Sequence, residues 1–219
     1  MKLSLLPLLA FALPLMTMTA SGYTIFVEGR EGPTPGANQW PLGRVPLAAV
    51  DFDNETIYRN FGKLNTGYFF TSVGRTIVTG IKFVTANNAE ERDPASFILF
   101  GSTVTGGLFE SQFTKIAAGT LALPSGRSVA GGDVTFANSL SYSNYILVFP
   151  TLKNADLANS MQIAEAQLQN AQGPLIYGVV AGGQITEIPE PTALGLVAAS
   201  CLIMGARRRR SHTEDSQSR

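Results

Sequence analysis

Asp51, Asp53, Asn54, Glu55 and Thr56 place five side-chain oxygen donors within six residues. Hard donors of this kind suit calcium. The spacing is not that of an EF-hand, because the sixth position is Thr56 where glycine is needed and the twelfth is Gly62 where glutamate is needed. Nucleophilic catalysis lacks its base. The one histidine, His212, lies beyond an arginine run near the C-terminus, and the one cysteine, Cys201, sits inside an apolar stretch. No Ser-His or Cys-His pair can therefore form in the residues that precede them. Hydrolysis by paired carboxylates requires only two carboxyl groups, which the chain has, but no local motif marks a pair. Gly131-Gly132 and Gly182-Gly183 lack the following lysine and the strand-loop-helix setting of a phosphate-cradling loop. Sugar contact needs an aromatic face beside a few polar groups. Trp40, Tyr58 and Tyr68 are the aromatic candidates; Trp40, between Gln39 and Pro41, is favoured, with Tyr58 beside it.

The elements that must position these residues read as strands. From Thr66 to Gln169 short β-rich runs alternate with Gly, Asn, Ser and Pro clusters, and no helical period lasts more than about two turns. Expected strands are 67–72, 76–85, 96–102, 113–118, 133–136, 144–150 and 160–168. In the second, Ile77, Thr79, Ile81 and Phe83 share one face and Lys82 takes the other. Seven such runs predict an all-β, antiparallel sandwich. The Gly- and Pro-rich stretch 28–46 reads as an irregular arm. Three loops stand out, 86–94, 124–132 and 153–159. The first carries Glu90, Glu91, Arg92 and Asp93 in succession, which form either an internally paired loop or a polar binding rim.

Both ends look like addresses rather than fold. Lys2 and the apolar run Leu3–Met18, broken by Pro7 and Pro14, followed by the small residues Ala20 and Gly22, read as a signal peptide over 1–22. At the other end, Pro189-Glu190-Pro191 precedes an apolar segment, 192–206, and then Arg207, Arg208, Arg209 and Arg210. Prolines stop regular structure, the apolar run enters a bilayer, and the arginines stay on the cytoplasmic side. Fifteen residues span only about 22 Å of a roughly 30 Å hydrocarbon core, so the anchor is short. A polar cytoplasmic tail, 211–219, follows. The remaining domain, 23–187, holds ten Lys or Arg against thirteen Asp or Glu. That mild acidity argues against nucleic acid as a partner. With Cys201 alone, no intrachain disulfide is available and the core must hold the domain.

The C-terminal unit resembles the PEP-CTERM sorting signal of bacterial exported proteins, which membrane proteases of the exosortase class recognise and process. Within the domain, Gly80-Ile81-Lys82-Phe83-Val84-Thr85-Ala86-Asn87, Ser96-Phe97-Ile98-Leu99-Phe100-Gly101-Ser102 and Ser160-Met161-Gln162-Ile163-Ala164-Glu165-Ala166-Gln167-Leu168 are similar to the discoidin, or coagulation-factor type C, branch of the galactose-binding-like jelly rolls. The likeness spans about 48–169. It implies an eight-stranded jelly-roll sandwich whose loops hold a ligand, often a sugar, and a structural calcium between Asp51 and Glu165. Asp53 and Thr56 complete the candidate ligand set. Period-two alternation puts Glu165 on the face of Met161 and Ile163; the alternative has Ala164, Ala166 and Leu168 facing the core and Glu165 in solvent. The resulting expectation is an exported, non-enzymatic binding or adhesion module of the cell envelope or extracellular matrix, anchored at least transiently in the membrane, with an exosortase and a polysaccharide or other glycan as partners. The alternatives are a purely structural matrix protein without specific ligand and a small glycan-processing enzyme.

Overall fold

The structure is a computed structural model that describes residues 26–104 and 112–185. The proposed signal peptide, the Pro189–Pro191 motif, the 192–206 segment and Arg207–Arg210 lie outside the described residues. Among the described residues no helix is long and apolar enough to cross a membrane.

Fourteen strands follow in chain order: β1 (Phe26–Glu28), β2 (Arg30–Glu31), β3 (Gln39–Trp40), β4 (Tyr58–Asn60), β5 (Thr66–Thr76), β6 (Gly80–Val84), β7 (Ser96–Ser102), β8 (Thr114–Thr120), β9 (Ala130–Thr135), β10 (Tyr142–Phe149), β11 (Met161–Ile163), β12 (Glu165–Asn170), β13 (Gly173–Pro174) and β14 (Tyr177–Ile185). Two 3-10 turns, Pro46–Ala49 and Glu90–Arg92, are the helical elements described. A six-stranded sheet in the order β1-β14-β5-β10-β7-β8 faces a four-stranded sheet in the order β13-β12-β6-β9, both antiparallel, while β11-β4 and β2-β3 form small separate ladders. The protein is an all-β sandwich.

The centre of the large sheet explains the packing. β10 runs Tyr-Ser-Asn-Tyr-Ile-Leu-Val-Phe, and its apolar residues are continuous because both faces are covered. Tyr145, Leu147 and Phe149 point into the main core with Phe83, Phe97 and Leu99, whereas Ile146 and Val148 join Phe26, Ile98, Phe100 and Ile185 in a second cluster on the opposite face. Beside β10, Gly67 packs so tightly that a Cβ there would collide with the Leu147 carbonyl oxygen.

Strand β7 coincides with the expected 96–102, but three expectations are corrected. The run expected over 76–85 is a strand only from Gly80; Ile81 and Phe83 enter the core as anticipated, while Ile77 is exposed. The run expected over 160–168 is two strands, divided at Ala164. The nine-residue β14 lies between β1 and β5 and extends the sandwich beyond 169. Its glycines, Gly178, Gly182 and Gly183, hide it from a reading based on β propensity.

Candidate functional site

The loop 51–56 is built by its own short polar side chains. A 3-10 turn started by Pro46 buries Ala48, Ala49 and Val50 and so anchors the loop on the sandwich. The Asp53 amide donates to Asp51 Oδ1 at 3.0 Å, and the Glu55 amide donates to Asp53 Oδ1 at 3.0 Å. These are successive Asx turns, which exchange the carboxylates' freedom for a fixed curve. Thr56 Oγ1 lies 2.8 and 3.0 Å from the two Asp51 oxygens. At the apex, Phe52 takes the left-handed φ of 69° and is 57% exposed. That conformation costs a residue with a Cβ about 1–2 kcal/mol, so the surrounding hydrogen bonds must hold it.

Beneath this loop lies Glu165, only 3% exposed. Its Oε2 accepts a hydrogen bond from Gln167 Nε2 at 2.9 Å, and its Oε1 has no hydrogen-bond partner. Burial, reinforced by the nearby Asp51 carboxylate, pushes the Glu165 carboxyl up to about 7, against the opposing pull of Gln167 and the Asp53 backbone. Neither sequence alternative for its placement holds. Because Ala164 interrupts the strand, Ile163, Ala166 and Leu168 all join the main core, and Ala164 joins Ile57, Val84 and Ala86 in a separate small cluster. Glu165 and Gln167 thus point out of the core and are buried by the loop rather than by the opposing sheet.

Asp51, which accepts from Thr56, therefore lies beside Glu165, together with the Asp53 backbone. The Asp53 carboxylate is engaged elsewhere, with the Glu55 amide. Among the described residues no three Asp, Glu, His or Cys side chains converge as metal ligands. A cation here would be held by two carboxylates and by neutral oxygens such as the Thr56 hydroxyl, a hard-donor set of the type calcium takes. The orphaned, buried Glu165 Oε1 fits that role, since an unpaired carboxylate oxygen in this position is otherwise costly. Between Phe52, Asn54, Lys82, Val84, Glu165 and Gln167 opens a cavity of about 180 Å³.

The aromatic candidates are placed differently from expectation. Tyr58 is fully buried; its hydroxyl donates to the Gly67 carbonyl at 2.9 Å and takes a hydrogen bond from Asn60 at 3.0 Å. Tyr68 is also fully buried and donates to the Ala166 carbonyl. Burial raises the pKa of both hydroxyls. Neither ring offers a face to a ligand. Trp40 is half-buried and packs edge-on against Tyr58, with centroids 6.3 Å apart. The exposed ring beside polar groups is Phe52, which alternation and propensity passed over because it lies inside an acidic turn.

The three loops noted in the sequence converge on one buried carboxylate. Asp93, with no exposed side chain, accepts both terminal nitrogens of Arg127, at 3.0 and 2.7 Å, and lies 3.4 Å from Lys153 Nζ. Lys153 also reaches Glu90 at 2.9 Å, and Ser125 donates to Glu90 at 2.7 Å. The Asp93 hydrogen bonds raise the pKa of Arg127, while Lys153 and Ser125 lower that of Glu90. The charges of 90–93 pair chiefly across loops, and the contact within the segment, Arg92 to Glu91, is long at 3.8 Å.

No protein-family model matches the chain, and no curated protein matches it. Among solved structures, it is similar to a carbohydrate-binding module, CBM32-3, from a family 31 glycoside hydrolase of Clostridium perfringens, at 13% identity and a TM-score of 0.46 over 71% of this chain and 96% of that one. It is also similar to the family 32 module of C. perfringens NanJ, solved with galactose, at 12% identity and a TM-score of 0.44 over 59% and 87%. A third likeness is to the CBM32-1 and CBM32-2 domains of C. perfringens ZmpB, at 12% identity and 0.48, where 60% of this chain matches 32% of the other. The chain thus spans about a third of that two-domain structure. At these scores the likenesses carry no inference about a ligand.

Proposed function

We propose that the chain is an exported, non-catalytic binding module of the cell envelope or extracellular matrix, which takes a glycan at the Phe52 cavity. Delivery is by an N-terminal signal peptide, followed by transient anchoring in the membrane and processing by an exosortase-type protease at the Pro189–Pro191 signal. The supporting observation is the buried Glu165 oxygen left without a partner beside Asp51. A calcium ion held by Asp51, Glu165 and the Thr56 hydroxyl supplies the missing charge and locks the loop that presents Phe52. No general acid-base role follows for the carboxyl pair, since Thr56 holds Asp51, Gln167 holds one Glu165 oxygen, and the loop covers the other from solvent.

The cavity itself favours a sugar. An exposed aromatic face stands beside an amide, an ammonium and a second amide, from Phe52, Asn54, Lys82 and Gln167. Its volume of about 180 Å³ is below the roughly 300–1,000 Å³ of pockets that enclose drug-sized molecules, which suits one residue of a polymer.

The test is a glycan panel with the full-length chain in calcium and in chelator, beside Phe52→Ala and Trp40→Ala. Binding should disappear in chelator and in Phe52→Ala while the latter melts as the parent does. Trp40→Ala should lower the melting temperature without selective loss of ligand. Binding unchanged by both chelator and Phe52→Ala would overturn the assignment. Absence of any bound glycan at millimolar concentration would favour a purely structural matrix protein.

A further inference from the structure

Arg44, Arg59 and Arg92 come from three separate segments and gather around Arg59, beside the side chain of Gln162. Arg59 on β4 is the register partner of Gln162 on β11, and Arg92 Nη1 lies 3.5 Å from Gln162 Oε1. The Arg59 amide donates to the Arg44 carbonyl at 3.2 Å, which ties the third segment to the group. Gln162 is itself fixed, since its amide nitrogen donates to the Asn88 and Ala89 carbonyls.

Charge balance separates this cluster from its neighbours. Arg127, on an adjoining loop, is paired with Asp93, and Lys153, on another, with Glu90 and Asp93. Arg44 and Arg59 have no carboxylate within ion-pair distance among the described residues, and the side chain of Arg44 makes no hydrogen bond there. Arg92 Nε is buried without a hydrogen bond, its nearest carboxylate being Glu91 at 3.8 Å. Partial burial and the like charges of Arg92 and Arg44 lower the pKa of Arg59, as expected of an uncompensated cationic group. Two guanidinium groups without a carboxylate, beside a third whose one carboxylate contact is long, would not gather on a mildly acidic domain without cost. An anion removes that cost.

Arg59 is also held ready. Its Nε donates to Ser160 Oγ at 2.9 Å and its Nη2 to Asn159 Oδ1 at 3.1 Å, and its guanidinium carbon lies 4.9 Å from the centre of the Phe61 ring. A planar fork supported on an aromatic ring, with amides and hydroxyls around it, matches an acidic group carried on a polyhydroxylated chain. We infer that Arg44, Arg59 and Arg92 form a receptor for the carboxylate or sulfate group of an acidic polysaccharide. The polymer class rests on the glycan reading above; the anion requirement rests on these arginines alone.

The experiment is fluorescence polarisation of the full-length chain with labelled oligogalacturonate, a sulfated dextran fragment and neutral dextran at 0.15 M salt. All variants are also made with Arg207–Arg210 changed to Gln, so that the tail's own attraction for polyanions is removed. Arg44→Gln, Arg59→Gln and Arg92→Gln should each weaken acidic-ligand binding by about tenfold or more, as loss of a charge-assisted contact does. Arg75→Gln, an equal change of charge on an exposed part of β5, should change it less than about twofold. Preference for one acidic ligand over the other identifies carboxylate or sulfate as the group recognised. Arg44→Gln keeps the test sound, because no side-chain hydrogen bond is lost with it and its melting temperature should match the parent's. Equal affinity for neutral dextran, unchanged binding in Arg44→Gln and Arg59→Gln, or no binding of either acidic ligand would each overturn the inference. Binding of the acidic ligands that falls with Phe52→Ala but not with the arginine variants would overturn it while leaving the glycan reading intact.

Discussion

Glu165→Gln removes a buried charge while nearly preserving shape, and its effect should change sign with calcium. Burial beside Asp51 moves the Glu165 carboxyl from 4.5 to about 7 in the folded chain. A displacement of that size corresponds to about 3 kcal/mol. The folded state holds this proton more tightly than the unfolded chain does. The group's stabilising contribution is therefore fully present below pH 4.5 and is lost as pH rises through 7. Gln at 165 never ionises, and its amide can donate to Asp51 while its oxygen still accepts from Gln167. Urea unfolding of parent and variant, in chelator from pH 4.5 to 8.5, isolates the effect, because the difference between the two curves cancels every titrating group not coupled to Glu165. The two should be nearly equal at pH 4.5, and at pH 8 the variant should be more stable by up to about 3 kcal/mol. Calcium at pH 8 should then raise the parent and leave the variant unmoved. Parallel curves in chelator, or a variant less stable than the parent at pH 8, would refute the reasoning that the carboxylate is buried without a counter-charge.

Two further outcomes follow from other parts of the chain. Asp93→Ala leaves Arg127 and Lys153 without their buried partner and should cost about 3 kcal/mol, near the low end for such pairs because both cations are partly exposed. Calorimetry should then show Tm lower by about 6–12 °C, and a fall of less than about 2 °C would mean that the loops are held by something else. If exosortase-type processing operates, the intact mass of protein from its native host should lack Arg207–Arg210, and molecules uniformly extending to Arg219 would exclude it.

The sandwich was legible where a strand has one covered face or a continuous apolar run, as at Ser96–Ser102 and Tyr142–Phe149. It was illegible at β14, whose glycines lack the side chains that propensity reads. The neighbourhood of Asp51 and Glu165 came from a resemblance, and the alternation argument offered beside it failed for a local reason. One residue out of phase, Ala164, turned Glu165 from the core side to the side covered by the loop. Tyr58, offered as a binding residue, and Tyr68, named beside it as a candidate, are core residues, because a tyrosine with an internal hydrogen-bond partner is as comfortable in a core as on a binding face. The partners of Asp93 are 34 and 60 residues away in sequence, so no local pattern could reveal them.

Because one carboxylate serves cations from two other loops, position 93 bears on the placement of all three. Loss of Asp93 leaves both cations without their buried partner, whereas loss of either cation leaves the other still paired. Insertions within these loops are constrained in the same way, since lengthening one would draw its charge away from the shared centre. Arg92, one residue from that centre, inherits the constraint. Its guanidinium is presented from backbone that the Asp93 pairings hold in place.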